Sequence, residues 1–252
     1  MARAKTATKA TAGRKPRASK PRAPKRAATA RATPARPRKT RKLGRATYHH
    51  GDLRRALVDA AVVIIADRGA EAFTLREAAR RLGVNHRAAY RHFADKSSLL
   101  AAVAEQGFAA LIAGTRAEIA AAGASDPEER LLAMARAYVA FADQHPAHFR
   151  VMFGPRLNEA ADQPLEAPIA EAYALLEAEI RAAIARAAGD PGDDDVTDAL
   201  VAFWAVVHGL ASLVLMKRVR VRRDQLPAWI DRVTRLAVRG VTARGMSADT
   251  LI

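Results

Sequence analysis

The sequence contains no cysteine, and its first 46 residues contain no acidic side chain. Without cysteine the chain has no disulfide framework, no thiolate zinc site and no cysteine nucleophile. The N-terminus also lacks the apolar stretch of a secretory signal peptide. These absences exclude disulfide-stapled secreted proteins and thiol enzymes, and they predict a protein of a reducing compartment, the cytoplasm.

The positive charge is concentrated at one end of the chain. The 252 residues include 42 Lys and Arg and 26 Asp and Glu, a formal net charge of +16. Residues 1–46 hold 17 of the bases, which leaves 25 bases and 26 acids in residues 47–252. The body of the protein is therefore close to neutral, and the N-terminal segment supplies the charge.

Residues 1–46 consist mainly of Ala, Arg, Lys, Thr and Pro, and we expect them to be disordered, because they cannot bury enough apolar surface to offset the entropy lost on ordering. One function for this tail is to bind nucleic-acid phosphates without base specificity, through release of counterions. A solubilising tail and an upstream start codon that is not used are alternatives, and a transit peptide would also be rich in Arg and poor in acid.

The remainder of the chain has the apolar periodicity of α-helices, and no segment shows the period-two alternation of strands between hairpin turns. The sequence predicts an all-α protein with loops from Asn158 to Gln163 and from Asp190 to Gly192. Helices are predicted between Gly51 and Gly69, from Leu75 to Leu82, from His86 to about His92, from Lys96 to about Ala122, and over about 127–144, 147–153, 165–188, 194–218 and 225–243.

Two of these short helices have the spacing of a helix-turn-helix. Thr74 is a predicted N-cap with Glu77 three residues later as a capping box, and Gly83 permits a tight turn. Asn85 begins the second helix, whose first residues can enter a major groove. A pair of short helices alone would be weak evidence for DNA binding.

A longer motif surrounds this pair. The run from Tyr48-His-His-Gly-Asp-Leu-Arg54 through Thr74-Leu-Arg76 to Tyr90-Arg-His-Phe-Ala-Asp-Lys-Ser-Ser-Leu-Leu100 resembles the DNA-binding domain of the TetR/AcrR family of transcriptional regulators. The resemblance covers residues 47–100. It implies a three-helix helix-turn-helix domain followed by an all-α effector-binding and dimerisation domain, residues 101–252, in a dimeric, ligand-responsive bacterial repressor.

Candidate DNA contacts follow from the chemistry of the side chains. Arg87 can bond a guanine through two hydrogen bonds, whereas Tyr90 and His92 suit backbone phosphates. Thr74 is at least partly a structural cap, and the alternative interpretation of Tyr90 places it half in the core. Small residues often follow the N-cap in this family, but here His86 and Arg87 do, so base preference is not transferable. The predicted DNA-binding residues are Arg45, Tyr48, Thr74, Arg76, Asn85, His86, Arg87, Ala88, Tyr90, Arg91, His92 and Lys96.

The C-terminal half has a net charge of −4 and contains 18 consecutive uncharged residues, Ala199 to Met216. That length lies at the lower edge of a membrane span, which needs about 17–25 residues. This helix, however, carries two apolar stripes. The pattern favours a helix that packs one face inside its own protomer and the other against a second subunit, and that does not enter a membrane. The dimer interface is predicted at Leu200, Phe203, Val207, Leu210 and Val214, and at Trp229, Val233 and Leu236 of the last helix.

The residues Trp204-Ala-Val-Val-His208-Gly209 resemble the Trp-x-x-x-His-Gly signature of one C-terminal subgroup of the same family. His208 is interpreted either as a polar anchor in a ligand pocket or as a core histidine bonded to a backbone carbonyl, with Gly209 allowing close helix packing. The second interpretation is favoured. The predicted effector-pocket residues are Tyr138, Phe149, Met152, Phe153, Tyr173, Trp204 and His208.

The sequence shows no His-Glu-x-x-His pair and no glycine-rich phosphate loop, so we expect neither an enzyme nor a metal or cofactor site. The leading hypothesis is a homodimeric repressor released from a palindromic, double-stranded operator by a small apolar effector. The alternative is a nucleoid-associated architectural protein dominated by its basic tail. A third, weaker hypothesis is a peripheral membrane protein held by that tail.

Overall fold

The computed structural model describes residues 52–154 and 165–243, and within them it confirms the all-α prediction, with nine α-helices, one 3-10 turn (Arg223–Gln225) and no strand. The basic tail, Arg45, Tyr48 and the predicted loop from Asn158 to Gln163 lie outside the described residues. The helices are α1 Leu53–Arg68, α2 Leu75–Leu82, α3 His86–His92, α4 Lys96–Ala122, α5 Pro127–Gln144, α6 Pro146–Met152, α7 Glu166–Ala188, α8 Asp193–Leu215 and α9 Leu226–Ala243.

Side-chain caps set the starts of the first helices. Asn85 Oδ1 accepts a hydrogen bond from the amide of Arg87 at 2.9 Å, and Thr74 Oγ1 accepts one from the amide of Glu77 at 3.3 Å. The predicted capping box at Thr74 is only half formed, because the carboxylate of Glu77 pairs with the guanidinium groups of Arg68 and Arg80 instead. A charge-assisted bond to a guanidinium is stronger than one to a neutral amide.

The turn between α2 and α3 depends on Gly83, which has the left-handed angles φ 72° and ψ 21°. A side chain at this position would cost about 1 kcal/mol or more. The turn brings α3 against α1 and α2, where Leu57, Ile65, Phe73 and Ala89 are buried at 0–1% exposure. The N-terminal domain, α1 to α3 with the start of α4, is therefore a helix-turn-helix unit with its own core.

The C-terminal domain packs α5, α7, α8 and α9 around a second core that includes Leu131, Val139, Ile180 and Val196. Arg136 of α5 ties three helices together: its guanidinium pairs with Glu118 of α4 at 2.9 Å and with Asp231 of α9 at 2.8 Å. Because one half-buried guanidinium binds both acids at once through different nitrogens, the register of α4, α5 and α9 is defined here.

Two helices contribute to both cores. In α4, Leu99 and Val103 are buried in the N-terminal core, whereas Leu111 is buried in the C-terminal one. In α6, Ala147 packs into the N-terminal core and Phe149 into the C-terminal core. The domain boundary predicted after residue 100 falls inside α4, so the two domains are joined by continuous helix rather than by a linker.

Two of the described helices, α4 and α8, are long and apolar enough to cross a membrane by length and composition. In α4, 61% of the most apolar 18-residue window is buried inside the protein, as in the core helix of a soluble domain. In α8 the buried share is only 33%. The protomer therefore leaves much of the uncharged surface of α8 uncovered.

Candidate nucleic-acid interface and effector cavity

The recognition helix predicted from the sequence, α3, turns one face to solvent. Ala89 is fully buried and Ala88 is half-buried, which fixes the helix against the domain core. The polar side chains that precede and follow them point outward. The exposed members of the predicted DNA-binding set are Thr74, Arg76, Asn85, His86, Arg87, Tyr90, Arg91 and His92.

Lys96 behaves differently from the other predicted contacts. Its side chain is half-buried, and Nζ donates a hydrogen bond to the carbonyl oxygen of Glu71 at 2.8 Å. The amine therefore fastens the start of α4 to the loop before α2, and a phosphate contact from Lys96 remains a prediction. Tyr90 is 45% exposed, so it is accessible to DNA and only partly packed against the domain.

The C-terminal domain contains a cavity of about 210 Å³ that lies among α4, α5, α6, α7 and α8 and is partly open to solvent. No charged side chain lines it, and its polar groups are limited to Thr115, Tyr138, Tyr173 and Trp204. Its apolar lining residues are Phe108, Leu111, Ile112, Met134, Met152, Phe153, Ile169, Ala172, Leu175, Leu176, Leu200, Phe203 and Val207. Such a surface suits an uncharged, mostly apolar molecule.

Three polar side chains meet at one side of the cavity. The hydroxyl oxygen of Tyr138 lies 2.9 Å from Nδ1 of His208, and it accepts a hydrogen bond from Nε1 of Trp204 at 3.3 Å. The imidazole of His208 stacks on Phe149 with a centroid distance of 5.2 Å. Trp204 and His208, four residues apart on α8, thus converge on a hydroxyl from α5.

Burial keeps this cluster neutral at physiological pH. It raises the pKa of Tyr138, which retains its proton, and it lowers the pKa of His208, which favours the uncharged imidazole. A neutral cluster cannot balance the charge of an ionised group on a buried ligand. The electrostatics therefore agree with the uncharged lining of the cavity.

Of the predicted effector-pocket residues, five line the cavity and two do not. Tyr138, Met152, Phe153, Tyr173 and Trp204 line it, whereas Phe149 and His208 lie behind them. The favoured interpretation of His208 requires correction, because its partner is the Tyr138 hydroxyl and not a backbone carbonyl.

Sequence reasoning missed the contribution of α4 to the cavity. Phe108, Leu111, Ile112 and Thr115 all line it, and the hydroxyl of Thr115 is the polar group that this helix provides. The apolar stripe of α4 was visible in the sequence, but the same stripe is typical of an ordinary core helix. Only the three-dimensional arrangement shows that this stripe faces empty space.

The predicted dimer interface also requires correction. Leu200, Phe203, Val207 and Leu210 are 2–6% exposed and belong to the core of the protomer itself, so they cannot meet a partner. A different set of apolar residues on α8 faces solvent. Its members Val201, Val206, Leu213 and Met216 are 51%, 36%, 42% and 63% exposed.

The last helix also exposes an apolar side chain. Leu236 of α9 is 67% exposed, while Trp229, Val233 and Val214 are half-buried against the protomer core. On α8 a side-chain carbon added at Gly209 would meet nothing within 4 Å, so this glycine serves no close packing inside the protomer. We call this uncovered surface of α8 and α9 the apolar face.

Comparisons with known proteins agree with these two domains. Residues 57–103 match the family model described as "Bacterial regulatory proteins, tetR family", and residues 131–237 match "Tetracyclin repressor-like, C-terminal domain". The chain belongs to the TetR family. The matching C-terminal model carries no reference to the Trp-x-x-x-His-Gly subgroup, so that resemblance stays a prediction.

Among curated proteins, the HTH-type transcriptional regulator BetI from Rhizobium meliloti (strain 1021) is 40% identical to this TetR-family chain over 85 residues. The match spans 33% of the chain and 40% of BetI. The chain therefore matches less than half the length of this relative.

Solved structures match over a larger part of the chain. A protein of unknown function from Rhodococcus sp. RHA1 has a TM-score of 0.62 and 29% identity, covering 79% of this chain and 98% of that one. The fatty acid degradation regulator FadR from Bacillus halodurans has a TM-score of 0.59 and 17% identity, covering 75% and 96%. At 17% identity, the FadR likeness shows the fold alone.

Proposed function

We propose that this TetR-family chain is a homodimeric, ligand-responsive transcriptional regulator that represses from a palindromic operator and is released by a small apolar effector. The observation that carries the proposal is an uncharged cavity whose lining includes residues of α4 and α6, the two helices that also contribute to the core of the helix-turn-helix domain. The protein would act in the cytoplasm, on the bacterial nucleoid.

The shared helices give the cavity a route to the DNA-binding domain. Met152, the last residue of α6, and Phe153 after it line the cavity, and Ala147 packs in the N-terminal core less than two turns earlier. On α4, the cavity residue Phe108 follows the N-terminal core residue Val103 by five positions. A ligand that needs more room around Met152 or Phe108 would move the helices that support α1 to α3.

An effector changes DNA binding only if it has different affinities for the two arrangements of the domains. We propose that the bound effector favours a spacing between the two recognition helices that no longer fits successive major grooves. The effector is uncharged and mostly apolar, with one polar group that reaches the shared hydroxyl of Tyr138.

The apolar face of α8 and α9 is the proposed dimer interface. An exposed surface of Val201, Val206, Leu213, Met216 and Leu236 is costly in water and typical of subunit contacts. Two copies related by a twofold axis would cover it with four helices, two from each protomer. Gly209, which has open space around it, allows the two α8 helices to approach closely across the axis.

The specific-regulator proposal is tested by selecting binding sites from a random duplex pool with the purified protein at physiological salt. We expect enrichment of a sequence with two inverted half-sites about one helical turn apart. If no sequence is enriched over random DNA, the proposed function is overturned.

Arg87→Ala tests the role of the recognition helix on the selected duplex. Because this exposed arginine stands at the start of α3, we expect a loss of about 1–3 kcal/mol in binding free energy and relaxed preference at one base position. The control is Arg186→Ala, which removes an exposed arginine from the end of α7. Fluorescence anisotropy measures both, and equal losses in the two variants would contradict a base contact by Arg87.

A further inference from the structure

The segment that joins α8 to the 3-10 turn, Lys217-Arg-Val-Arg-Val-Arg-Arg223, contains five basic residues in seven positions. The C-terminal half as a whole carries more acids than bases, 20 against 16, so nearly a third of its bases stand in this one segment. We call residues 217–223 the basic segment. Neither the proposed operator contact through α3 nor the effector cavity uses it.

The basic segment lies at the end of the C-terminal domain that faces the helix-turn-helix. Arg223 reaches the carboxylate of Asp143 at 3.5 Å, in the last turn of α5. The next helix, α6, packs Ala147 into the N-terminal core. The opposite end of the same domain holds the start of α5, where Asp126 pairs with Arg186 of α7.

Most of the charge in the segment is uncompensated. Arg222 pairs with Asp224 and Arg223 with Asp143. Within residues 52–154 and 165–243, no carboxylate forms an ion pair with Lys217, Arg218 or Arg220. Neighbouring like charges repel one another, so a cluster of this kind is stabilised by an external anion.

The backbone of the segment is held in place. The amide of Arg218 donates to the carbonyl of Leu213 at 2.8 Å, and that of Lys217 donates to Val214 at 2.9 Å, closing the end of α8. Lys217 adopts φ 55°, a left-handed conformation that is usually left to glycine. Val219 and Val221 are half-buried, whereas Arg218, just before Val219, and Arg220, between the two valines, are exposed. The bases are thus presented outward from an anchored turn.

We propose that the basic segment binds the phosphate backbone of DNA between the two half-sites of the operator. This inference rests on the proposed function, because the dimer formed by α8 and α9 would place the two segments side by side near the twofold axis, between the recognition helices. Six unpaired basic side chains, three from each protomer, would then face the central phosphates. The segment would add affinity and salt dependence without base specificity.

The first experiment compares two full-length variants that each lose two positive charges per protomer. Arg218→Gln/Arg220→Gln removes the unpaired bases, and Arg116→Gln/Arg186→Gln removes two exposed bases elsewhere in the C-terminal domain. Duplex affinity is measured by fluorescence anisotropy at salt concentrations from about 50 mM to about 300 mM, because affinity from phosphate contacts changes strongly over this range. The probes are the duplex selected by the wild type and a random duplex of equal length.

For the segment variant we expect about 10- to 100-fold weaker binding near 0.1 M salt, and a log–log salt slope that is shallower by about 2 to 4, since each phosphate contact contributes about 0.9. The control variant should keep the wild-type slope. Unchanged slopes, or equal changes in both variants, would overturn the proposal. Binding of the same variants to phosphatidylglycerol vesicles is measured in parallel. The proposal would also be overturned if the segment variant lost binding to these vesicles and kept its binding to DNA.

The second experiment locates the contact and uses the absence of native cysteine. Arg220→Cys carries an iron chelate that cleaves nearby DNA, and Arg186→Cys carries the same chelate at the other end of the domain. We expect cleavage between the half-sites from position 220 and none from position 186. Cleavage outside the half-sites, or none, overturns the proposal even when the selected duplex is bound. Failure to select any duplex overturns the proposed function instead, and the salt slopes on random DNA still test the segment.

Discussion

At the scale of single residues, the hydroxyl of Tyr138 is the most connected polar group of the cavity. It accepts a hydrogen bond from the indole of Trp204 and shares another with the imidazole of His208. Both neighbours are neutral, so the group left for a ligand depends on the tautomer of His208. If Nδ1 carries the hydrogen, the hydroxyl accepts from it and keeps its proton for a ligand; if Nε2 carries it, the hydroxyl donates to Nδ1 and keeps a lone pair. An effector with one carbonyl or hydroxyl group would fit this arrangement.

Tyr138→Phe removes this hydroxyl and leaves the ring in place. We expect a loss of about 1–2 kcal/mol in the free energy of unfolding, because His208 and Trp204 each lose a partner. Urea denaturation followed by tryptophan fluorescence measures the change. Tyr173→Phe is the matched control, since this tyrosine also lines the cavity but is 43% exposed. Its cost should stay below about 0.5 kcal/mol, and equal costs would show that the hydroxyl of Tyr138 has no special role.

At the scale of elements, α4 and α6 pack closely against each other at Gly107. A side-chain carbon at this position would lie 2.5 Å from Sδ of Met152 and 3.2 Å from Cβ of His148. Glycine is otherwise unfavourable in a helix interior. The residue therefore allows a contact through which the cavity residue Met152 acts on the helix shared by both domains.

Gly107→Ala should force Met152 or α6 to move. We expect a net loss of stability of about 1 kcal/mol, in which overpacking outweighs the gain in helix propensity. In a Met152→Ala background the same substitution should cost less, with a coupling energy of about 1 kcal/mol in a double-mutant cycle. The control Gly114→Ala, where the added carbon meets nothing within 4 Å, should stabilise α4. A cycle without coupling would contradict the contact.

The uncovered stripe of α8 is the second feature at this scale. Val206→Glu places a carboxylate in the middle of the apolar face, where a partner subunit would bury it without compensation. We expect the dimer dissociation constant to rise by about 100-fold or more, measured by analytical ultracentrifugation. Val63→Glu is the control, because Val63 is 45% exposed on α1, away from the apolar face. A dimer that tolerates Val206→Glu would place the interface elsewhere.

At the scale of the whole molecule, the charge is divided among parts with different tasks. Residues 1–46 carry 17 bases and no acid, whereas residues 47–252 are almost neutral. A net charge of +16 is thus compatible with specificity that comes from a few side chains on α3. The basic tail would add affinity and a faster search for sites along DNA.

Deletion of residues 1–44 separates a regulator from an architectural protein. A regulator should keep its footprint on the selected duplex and lose general affinity and part of its salt slope, because only phosphate contacts are removed. DNase I footprinting and salt titration measure the two properties. Loss of nearly all binding together with the footprint would favour the architectural alternative.

Much of the fold could be predicted from local sequence signals. Thr74, Gly83, Asn85 and Asp95 mark helix ends because a cap or a left-handed turn needs a particular side chain within three or four residues. Trp204 and His208 lie on one helix face for a local reason as well, because they stand four residues apart. The exception at Glu77 arises because its partner, Arg68, belongs to another helix.

The sequence by itself determined the all-α class, the helix-turn-helix and the concentration of charge in the tail, since each depends on composition or on neighbours in the chain. Only the tertiary structure decided which stripe of α8 faces inward, that Tyr138 reaches His208 across 70 positions, and that one stripe of α4 borders a cavity. Two apolar stripes on one helix have the same pattern, and what each stripe contacts depends on helices that are distant in sequence.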